Sequence, residues 1–185
     1  AFLSLYPDDP LAPEARYGAG WSLMALGDGR GASEQFSSID SSSTLFPKAR
    51  ELARASLEIA EIRHPSPRMA GALSAVLPGA GQAYAGRFQN AVVSFLINGV
   101  FIAGAAALFA RGNEGAGLLL TIFESGWYVG GIRSAAQDAR EAYQDALNNR
   151  VGALARMYDN LLGFKPGKET LTIEFFHIPL DRVWR

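Results

Sequence analysis

The pattern of apolar and charged positions divides the chain into three stretches. Residues 69–135 contain five charged side chains, whereas residues 1–68 contain nine acids and seven bases, and residues 136–185 contain seven of each. Within the central stretch, residues 91–110 carry no charge at all. A helix of that length reaches across roughly 30 Å of hydrocarbon, because each residue adds ~1.5 Å. The pattern therefore predicts a membrane segment between two water-exposed segments.

A second apolar run follows the first after a polar turn of four residues. It covers residues 115–132, and Glu124 is its only charged residue. Short connections place consecutive helices next to each other and antiparallel, so residues 87–134 are predicted to form a transmembrane helical hairpin. Trp127 and Tyr128 lie near the end of the second run, where aromatic side chains favour the membrane interface. The alternative is a very apolar hairpin that is buried in a soluble protein.

The two flanking stretches show helical periodicity. Residues 1–63 form a predicted helical domain, which ends before Pro65 and Pro67 because proline disfavours helix in the residue before it. Its helices are predicted at residues 11–27, 30–39 and 46–62. Residues 135–162 are predicted to form an amphipathic helix, which could continue the second apolar run into solvent. Its apolar stripe needs cover from these helices or from a partner chain. Residues 163–185 form a tail, in which the alternating segment 170–178 could be a single strand.

The segment that joins the first domain to the hairpin is rich in glycine and proline. Residues 64–86 include Pro78, Gly79 and Gly81. Proline cannot continue a helix ladder, and glycine permits tight backbone turns. We expect a short apolar helix over residues 70–77, a sharp break, and then the first span. Such a broken backbone at membrane depth has to be buried by protein or reached by water, so the segment is predicted to be re-entrant.

Small and aromatic residues in the first domain follow the spacing of a known repeat. Gly20, Ala32 and Phe36 lie twelve and four residues apart. This pattern resembles the tetratricopeptide repeat, in which small residues let two helices touch and an aromatic fills the gap. Leu23 and Thr44 depart from it, since an aromatic and a proline are common there. A generic three-helix bundle is the alternative.

The region before the first span carries a second resemblance. Pro78, Gly79, Gly81, Gln82 and Tyr84 form a Pro-Gly-x-Gly-Gln-x-Tyr motif. The motif resembles a two-helix membrane module of uncharacterised bacterial proteins, some of which join it to tetratricopeptide repeats. Together the two resemblances cover roughly residues 1–150. They imply an all-α fold with repeat-like helical hairpins, an antiparallel two-helix membrane hairpin and a returning C-terminal helix.

The location of the protein follows from the same resemblances. They imply the bacterial inner membrane, with the water-exposed part in the periplasm, as for the similar repeats of envelope proteins. The positive-inside rule favours the cytoplasm instead, because one arginine lies in the turn between the two runs and five flank their other ends (Arg63, Arg68, Arg87, Arg133 and Arg140). The chain begins with Ala1 and not with methionine. We therefore expect an upstream stretch, which would hold any targeting signal.

Two polar residues within the predicted spans are candidates for chemistry. Glu124 is an ionisable group inside an apolar run, which costs several kcal/mol unless it is paired or hydrated. We favour a structural staple in which Glu124 ties the second span to the glycine segment, and the alternative is a proton or ion relay. Asn98 is expected to hydrogen-bond between helices. Gly126 and Gly130 form a small-residue face, which is expected to pack within the hairpin or to bind another membrane protein.

Composition excludes several classes of function. The chain contains no cysteine, which excludes disulfides, cysteine-ligated metals and thiol catalysis. Its two histidines leave little material for a histidine metal site or a catalytic triad. Seventeen basic residues balance eighteen acidic ones, which argues against nucleic-acid binding. We find no candidate catalytic, cofactor-binding or metal-binding residue. An enzyme acting on lipid is the third hypothesis, but no nucleophile and base can be assembled for it.

The sequence therefore favours a non-enzymatic membrane-anchored adaptor. Its expected partners are the lipid bilayer and other membrane or envelope proteins, with homo- or hetero-oligomers also possible. The second hypothesis is an oligomeric transport or channel component that uses Glu124 and Asn98.

Overall fold

The computed structural model describes residues 2–6, 9–158, 165–166 and 171–172. It confirms the prediction of an all-α fold. The helices, in chain order, are α1 (Phe2–Leu5), α2 (Ala12–Ala25), α3 (Gly29–Ser37), α4 (Phe46–Ala60), α5 (Pro67–Val76), α6 (Ala80–Tyr84), α7 (Phe88–Ala110) and α8 (Glu114–Tyr158).

The C-terminal tail contributes two short segments to the described part of the chain. Strand β1 (Lys165–Pro166) pairs antiparallel with β2 (Leu171–Thr172), and Lys165 lies opposite Thr172. The remainder of the predicted strand at residues 170–178 lies outside the described residues.

The described residues divide into two compact units. The first unit lies within Ala1–Ile62 and Ala146–Arg185, and the second unit covers Arg63–Asp145. Helix α8 runs without a break through residue 134, where the sequence placed the end of the hairpin. Residues 135–158 of the predicted helix are therefore the continuation of the helix that begins at Glu114, and residues 159–162 lie outside the described part of the chain.

Small and aromatic residues build the core of the first unit. The rings of Tyr17, Trp21 and Phe36 meet edge to face, with centroids 5.6–6.4 Å apart. A methyl group at Gly20 would lie 2.6 Å from the ring of Phe36, so glycine lets α2 approach α3. Ala32 is fully buried on α3.

Helix α3 begins at a side-chain cap and packs against α4. Asp28 Oδ1 accepts a hydrogen bond from the backbone N–H of Gly31 at 2.9 Å, which satisfies one donor of the first turn. Leu52 and Ile59 of α4 are buried. The C-terminal part of α8 adds further buried apolar side chains to this unit (Leu147, Val151 and Leu154), and Arg150 forms an ion pair with Glu58.

The second unit begins with two short helices separated by a break. Ser66 Oγ caps α5 by accepting from the backbone N–H of Met69 at 3.3 Å. The helix ends at Val76, Leu77 is extended, and Gly79 has a φ of 90°. The predicted break at Pro78 is thus present. The five-residue helix α6 that follows it was not predicted.

Helix α7 and the first part of α8 contact each other along their length. The rings of Phe101 and Phe123 lie 5.3 Å apart. Methyl groups at Gly104 and Gly117 would lie 3.2 Å from Leu120 and 3.0 Å from Phe109. These contacts show that the two helices lie close together at these residues.

One helix in the described part of the chain, α7, is long and apolar enough to cross a membrane, and 11% of its most apolar stretch is buried. The second predicted span, residues 115–132, does not meet the same criterion of length and composition. Glu124 and five glycines lower the hydropathy of that run. The transmembrane hairpin over residues 87–134 therefore stays a prediction, with α7 as its more apolar helix.

Candidate functional site

The two glycines of the Pro-Gly-x-Gly-Gln-x-Tyr motif lie where no side chain fits. Gly79 is in the left-handed region, and a methyl group there would collide with the backbone carbonyl of Ala91. A methyl group at Gly81 would collide with the carbonyl of Ala70 and would lie 2.6 Å from Ser74 Oγ. Glycine at these positions lets α6 contact both α5 and the first turn of α7.

Gln82 is the centre of a buried polar network. Its side chain is 2% exposed. Ser74 Oγ donates to Gln82 Oε1 at 2.8 Å and accepts from the backbone N–H of Gly81 at 3.0 Å. Gln82 Nε2 donates to the carbonyl of Gly131 at 3.2 Å. This network, which we call the Gln82 clasp (Ser74, Gly81, Gln82 and Gly131), joins α5, α6 and α8.

Tyr84 fixes the segment that precedes α5. Its hydroxyl accepts a hydrogen bond from the backbone N–H of Ser66 at 3.2 Å, and its carbonyl accepts from Arg63 Nη2 at 3.0 Å. The guanidinium of Arg63 also lies 5.2 Å from the centre of the Tyr84 ring. The ring packs on a cluster of small buried side chains from α5, α8 and residue 85 (Ala70, Ala85, Ala135 and Ala139).

Three carboxylates line one face of α8 near the start of α7. Asp138, Glu141 and Asp145 are spaced three and four residues apart and border a cavity of about 630 Å³. We call this group the acidic rim. Asn90 Nδ2 donates to both oxygens of Asp138 at 3.0 and 3.1 Å. Arg87 pairs with Asp145 at 2.5 Å, and that carboxylate raises the pKa of the Arg87 guanidinium above its ordinary value.

An open groove of about 790 Å³ lies between α7 and α8. We call it the lateral groove. Its lining is mainly apolar and aromatic, with polar side chains at one end; it includes Asn90, Ile97, Ile122, Trp127 and Ser134.

Gly126 and Gly130 also line the lateral groove. A methyl group at either position would meet no atom within 4 Å. The expectation that these two glycines pack within the hairpin is therefore wrong. The close approaches involve Gly104 and Gly117 instead.

Glu124 does not form the predicted staple. It is 7% exposed, and neither carboxylate oxygen has a hydrogen-bond partner in the described part of the chain. Gln82 reaches Gly131 instead, which lies seven residues, or roughly 10 Å of helix, beyond Glu124. Tyr128 donates from its hydroxyl to the carbonyl of Ala75 at 3.4 Å. The second apolar run is thus tied to the glycine segment through its backbone and through Tyr128.

Asn98 is buried but does not bond across the helices. Its Nδ2 donates to the carbonyl of Ser94 in its own helix at 2.6 Å. Its Oδ1 has no partner among the described residues. The predicted interhelical hydrogen bond of Asn98 is therefore absent from the described part of the chain.

Sequence reasoning missed Ser74, Asn90 and Asp138. Ser74 lies in a run of small residues eight positions before Gln82, which gave no signal that it would bond to that residue. Asn90 and Asp138 are 48 residues apart, and such a pairing cannot be read from local spacing. The spacing of Asp138, Glu141 and Asp145 was the one available signal, since it places three acids on one helix face.

The described residues include no group of three His, Asp or Glu side chains that could hold a metal ion. Comparison with protein families, with curated proteins and with solved structures finds no significant match to this chain.

Proposed function

We propose that the chain is a non-enzymatic, membrane-anchored adaptor. The exposure of α7 carries the proposal. An apolar helix in the core of a soluble protein is mostly buried, whereas 11% of the most apolar stretch of α7 is buried. Its outward side chains include Phe88, Val92, Phe95, Leu96 and Val100. An apolar surface of this length needs cover from lipid or protein.

In this proposal, α7 and residues 115–132 form an antiparallel hairpin within the bilayer. The order of contacts supports that arrangement. Successive contacts pair Phe109 with Gly117, Phe101 with Phe123, and Asn90 with Asp138. The position in α8 rises as the position in α7 falls, which is the order that antiparallel neighbours produce.

The helices of the first unit are the proposed adaptor surface. The packing of Gly20 against Phe36 and the burial of Ala32 support the resemblance to a tetratricopeptide repeat. Repeat units of this kind bind other proteins, and roughly three are needed to bury a continuous core. We propose another bacterial envelope or membrane protein as the partner. The proposed location is the inner membrane, with the first unit in the periplasm.

A charge placed on the outward face of α7 tests the membrane anchor. Val100 is largely exposed near the middle of α7. An aspartate at the centre of a membrane helix costs about 2.5–3.5 kcal/mol of insertion free energy. Val100→Asp is therefore expected to reduce the fraction that stays in carbonate-washed membranes. Leu57→Asp is the matched control, because Leu57 is an exposed apolar residue of α4.

The outcomes separate the two interpretations. An anchored protein stays in the washed membrane as the native chain and as Leu57→Asp, and is partly released as Val100→Asp. A soluble protein with an exposed apolar helix is released in all three forms. That second result would show that the membrane anchor is wrong.

The carboxylate of Glu124, which has no hydrogen-bond partner among the described residues, favours a second candidate, an oligomeric transport or channel component. Buried acids in membrane segments often belong to ion or proton pathways. Glu124→Gln retains the volume of the side chain and removes its charge. If Glu124 lies in an ion pathway, the variant loses ion flux in reconstituted vesicles and keeps its melting temperature. If Glu124 is structural, the melting temperature changes and the native chain shows no flux.

A further inference from the structure

One stripe of α8 changes from apolar to acidic along its length. Ile122, Gly126, Gly130, Ser134 and Asp138 follow one another at intervals of four residues. Side chains at this spacing lie one above another on a helix. The first four line the lateral groove, and Asp138 belongs to the acidic rim.

The lateral groove and the cavity at the acidic rim adjoin each other at Asn90. Asn90 lines both of them. The groove of about 790 Å³ is within the ~300–1,000 Å³ range of small-molecule sites. The absence of side chains at Gly126 and Gly130 creates the space, and the ring of Trp127 borders it. Water is a poor occupant of the apolar part, because an ordered water needs two to four polar partners.

Charge at the rim limits the choice of ligand. Three carboxylates face one guanidinium there, that of Arg87. An anionic headgroup would be repelled by this excess of carboxylates. A primary ammonium group carries three N–H donors, which suits carboxylate acceptors better than a quaternary ammonium group without donors. The phosphate next to such an amine would be placed near Arg87, in a charge-assisted contact.

We propose that the lateral groove binds one phospholipid with a primary-amine headgroup. An acyl chain occupies the groove, and the amine lies at the acidic rim. The lipid then covers an apolar groove that the described residues leave open. This inference rests on the proposed insertion of α7 and α8 in a bilayer.

Native mass spectrometry of the full chain in detergent tests the proposal. The probes are phosphatidylethanolamine, phosphatidylcholine and phosphatidylglycerol with identical acyl chains, each titrated separately. We expect one tightly bound phosphatidylethanolamine per chain. The other two lipids should bind roughly tenfold more weakly, which is the usual value of one charge-assisted hydrogen bond.

Two variants locate the bound lipid. Gly130→Leu fills the groove, and it retains the helix because leucine is a better helix former than glycine. Gly99→Leu is the matched control on α7, since a side chain at Gly99 also meets open space and Gly99 does not line the groove. Phosphatidylethanolamine binding should fall at least about tenfold in Gly130→Leu and stay unchanged in Gly99→Leu. Glu141→Gln tests the rim and should reduce the preference for phosphatidylethanolamine.

Several results would overturn the proposal. Equal binding of the three lipids would refute the headgroup assignment, and full binding by Gly130→Leu would refute the groove. Equal loss in Gly99→Leu would show a general effect of added bulk. A mass of two chains without lipid would identify a second copy as the occupant. A chain that stays in carbonate-washed membranes but shows one of these results loses only the lipid proposal, whereas a chain released by carbonate loses the membrane anchor as well.

Discussion

Gln82 shows how a single buried amide can fix the position of three helices. It accepts from Ser74 and donates to the carbonyl of Gly131, while Ser74 also accepts from the backbone of Gly81. In an apolar environment such polar groups are costly unless each one has a partner. The Gln82 clasp satisfies them within the chain, so the amide specifies one arrangement of α5 and α6 against α8.

Replacing Gln82 by leucine is expected to destabilise the protein. Gln82→Leu has a similar volume but removes the partner of Ser74 Oγ–H and the donor to Gly131. Leaving a buried polar group unpaired costs about 1–3 kcal/mol. The change should lower the melting temperature measured by circular dichroism in detergent. Gln89→Leu is the matched control, because Gln89 is exposed. An equal melting temperature for Gln82→Leu and the native chain would show that the clasp contributes no stability.

At the scale of elements, the crossing of α5 and α6 depends on the absence of a side chain at Gly81. Alanine there would collide with the carbonyl of Ala70 and crowd Ser74 Oγ. A backbone carbonyl in a helix cannot rotate away, so the two helices would have to separate. Gly81→Ala is therefore expected to destabilise the chain by about 1–3 kcal/mol, as overpacked cores do.

Gly99→Ala is the matched substitution for this prediction. Gly99 is in the interior of α7, and an added methyl group meets no atom within 4 Å. Alanine is favoured over glycine in a helix by roughly 1 kcal/mol, so this variant should melt at the same temperature or higher. Thermal unfolding is therefore expected to show a lower melting temperature for Gly81→Ala and an equal or higher one for Gly99→Ala. A stabilising Gly81→Ala would show that α5 and α6 do not approach closely at this point.

The sequence predicted elements well where the signal was local. Helices α2, α3 and α4 were predicted to within a few residues by periodicity and by breakers such as Gly27 and Pro65. The break at Pro78 was likewise local. Helix α6 was missed because five residues are too few to show a period. The sequence left open whether α8 continues through residue 134, because the apolar character of the helix changes there while its backbone does not.

The candidate site was predictable only in the part that gave a local sequence signal. The motif residues around Gly79 were identified by composition, since glycine and proline are rare in helices. Their partners were not identified, because Gln82 and Gly131 are 49 positions apart in sequence. Glu124 was predicted to form the staple because it is a charged residue in an apolar run. The clasp is formed by an uncharged residue instead, because a neutral amide can be buried at lower cost than a carboxylate.

At the scale of the whole molecule, the proposed hairpin sets the sides of the membrane on which different residues lie. Helix α7 has 23 residues and so reaches about 34 Å, enough to cross the hydrocarbon once. If residues 115–132 cross back, the segments before α7 and after residue 132 share one side. The turn at Asn113 is then on the other. The chain contains no cysteine, so labelling of an introduced cysteine is measured without a signal from native thiols.

Three single-cysteine variants test this topology. Arg54→Cys, Asn113→Cys and Asn148→Cys all replace exposed residues. With a membrane-impermeant maleimide on intact spheroplasts, Arg54→Cys and Asn148→Cys should be labelled, and Asn113→Cys only after the membrane is opened. The reverse pattern would keep the hairpin and move the first unit to the cytoplasm, as the flanking arginines favour. Equal labelling of all three positions would contradict the hairpin itself, since a chain that crosses twice must leave its turn on the far side.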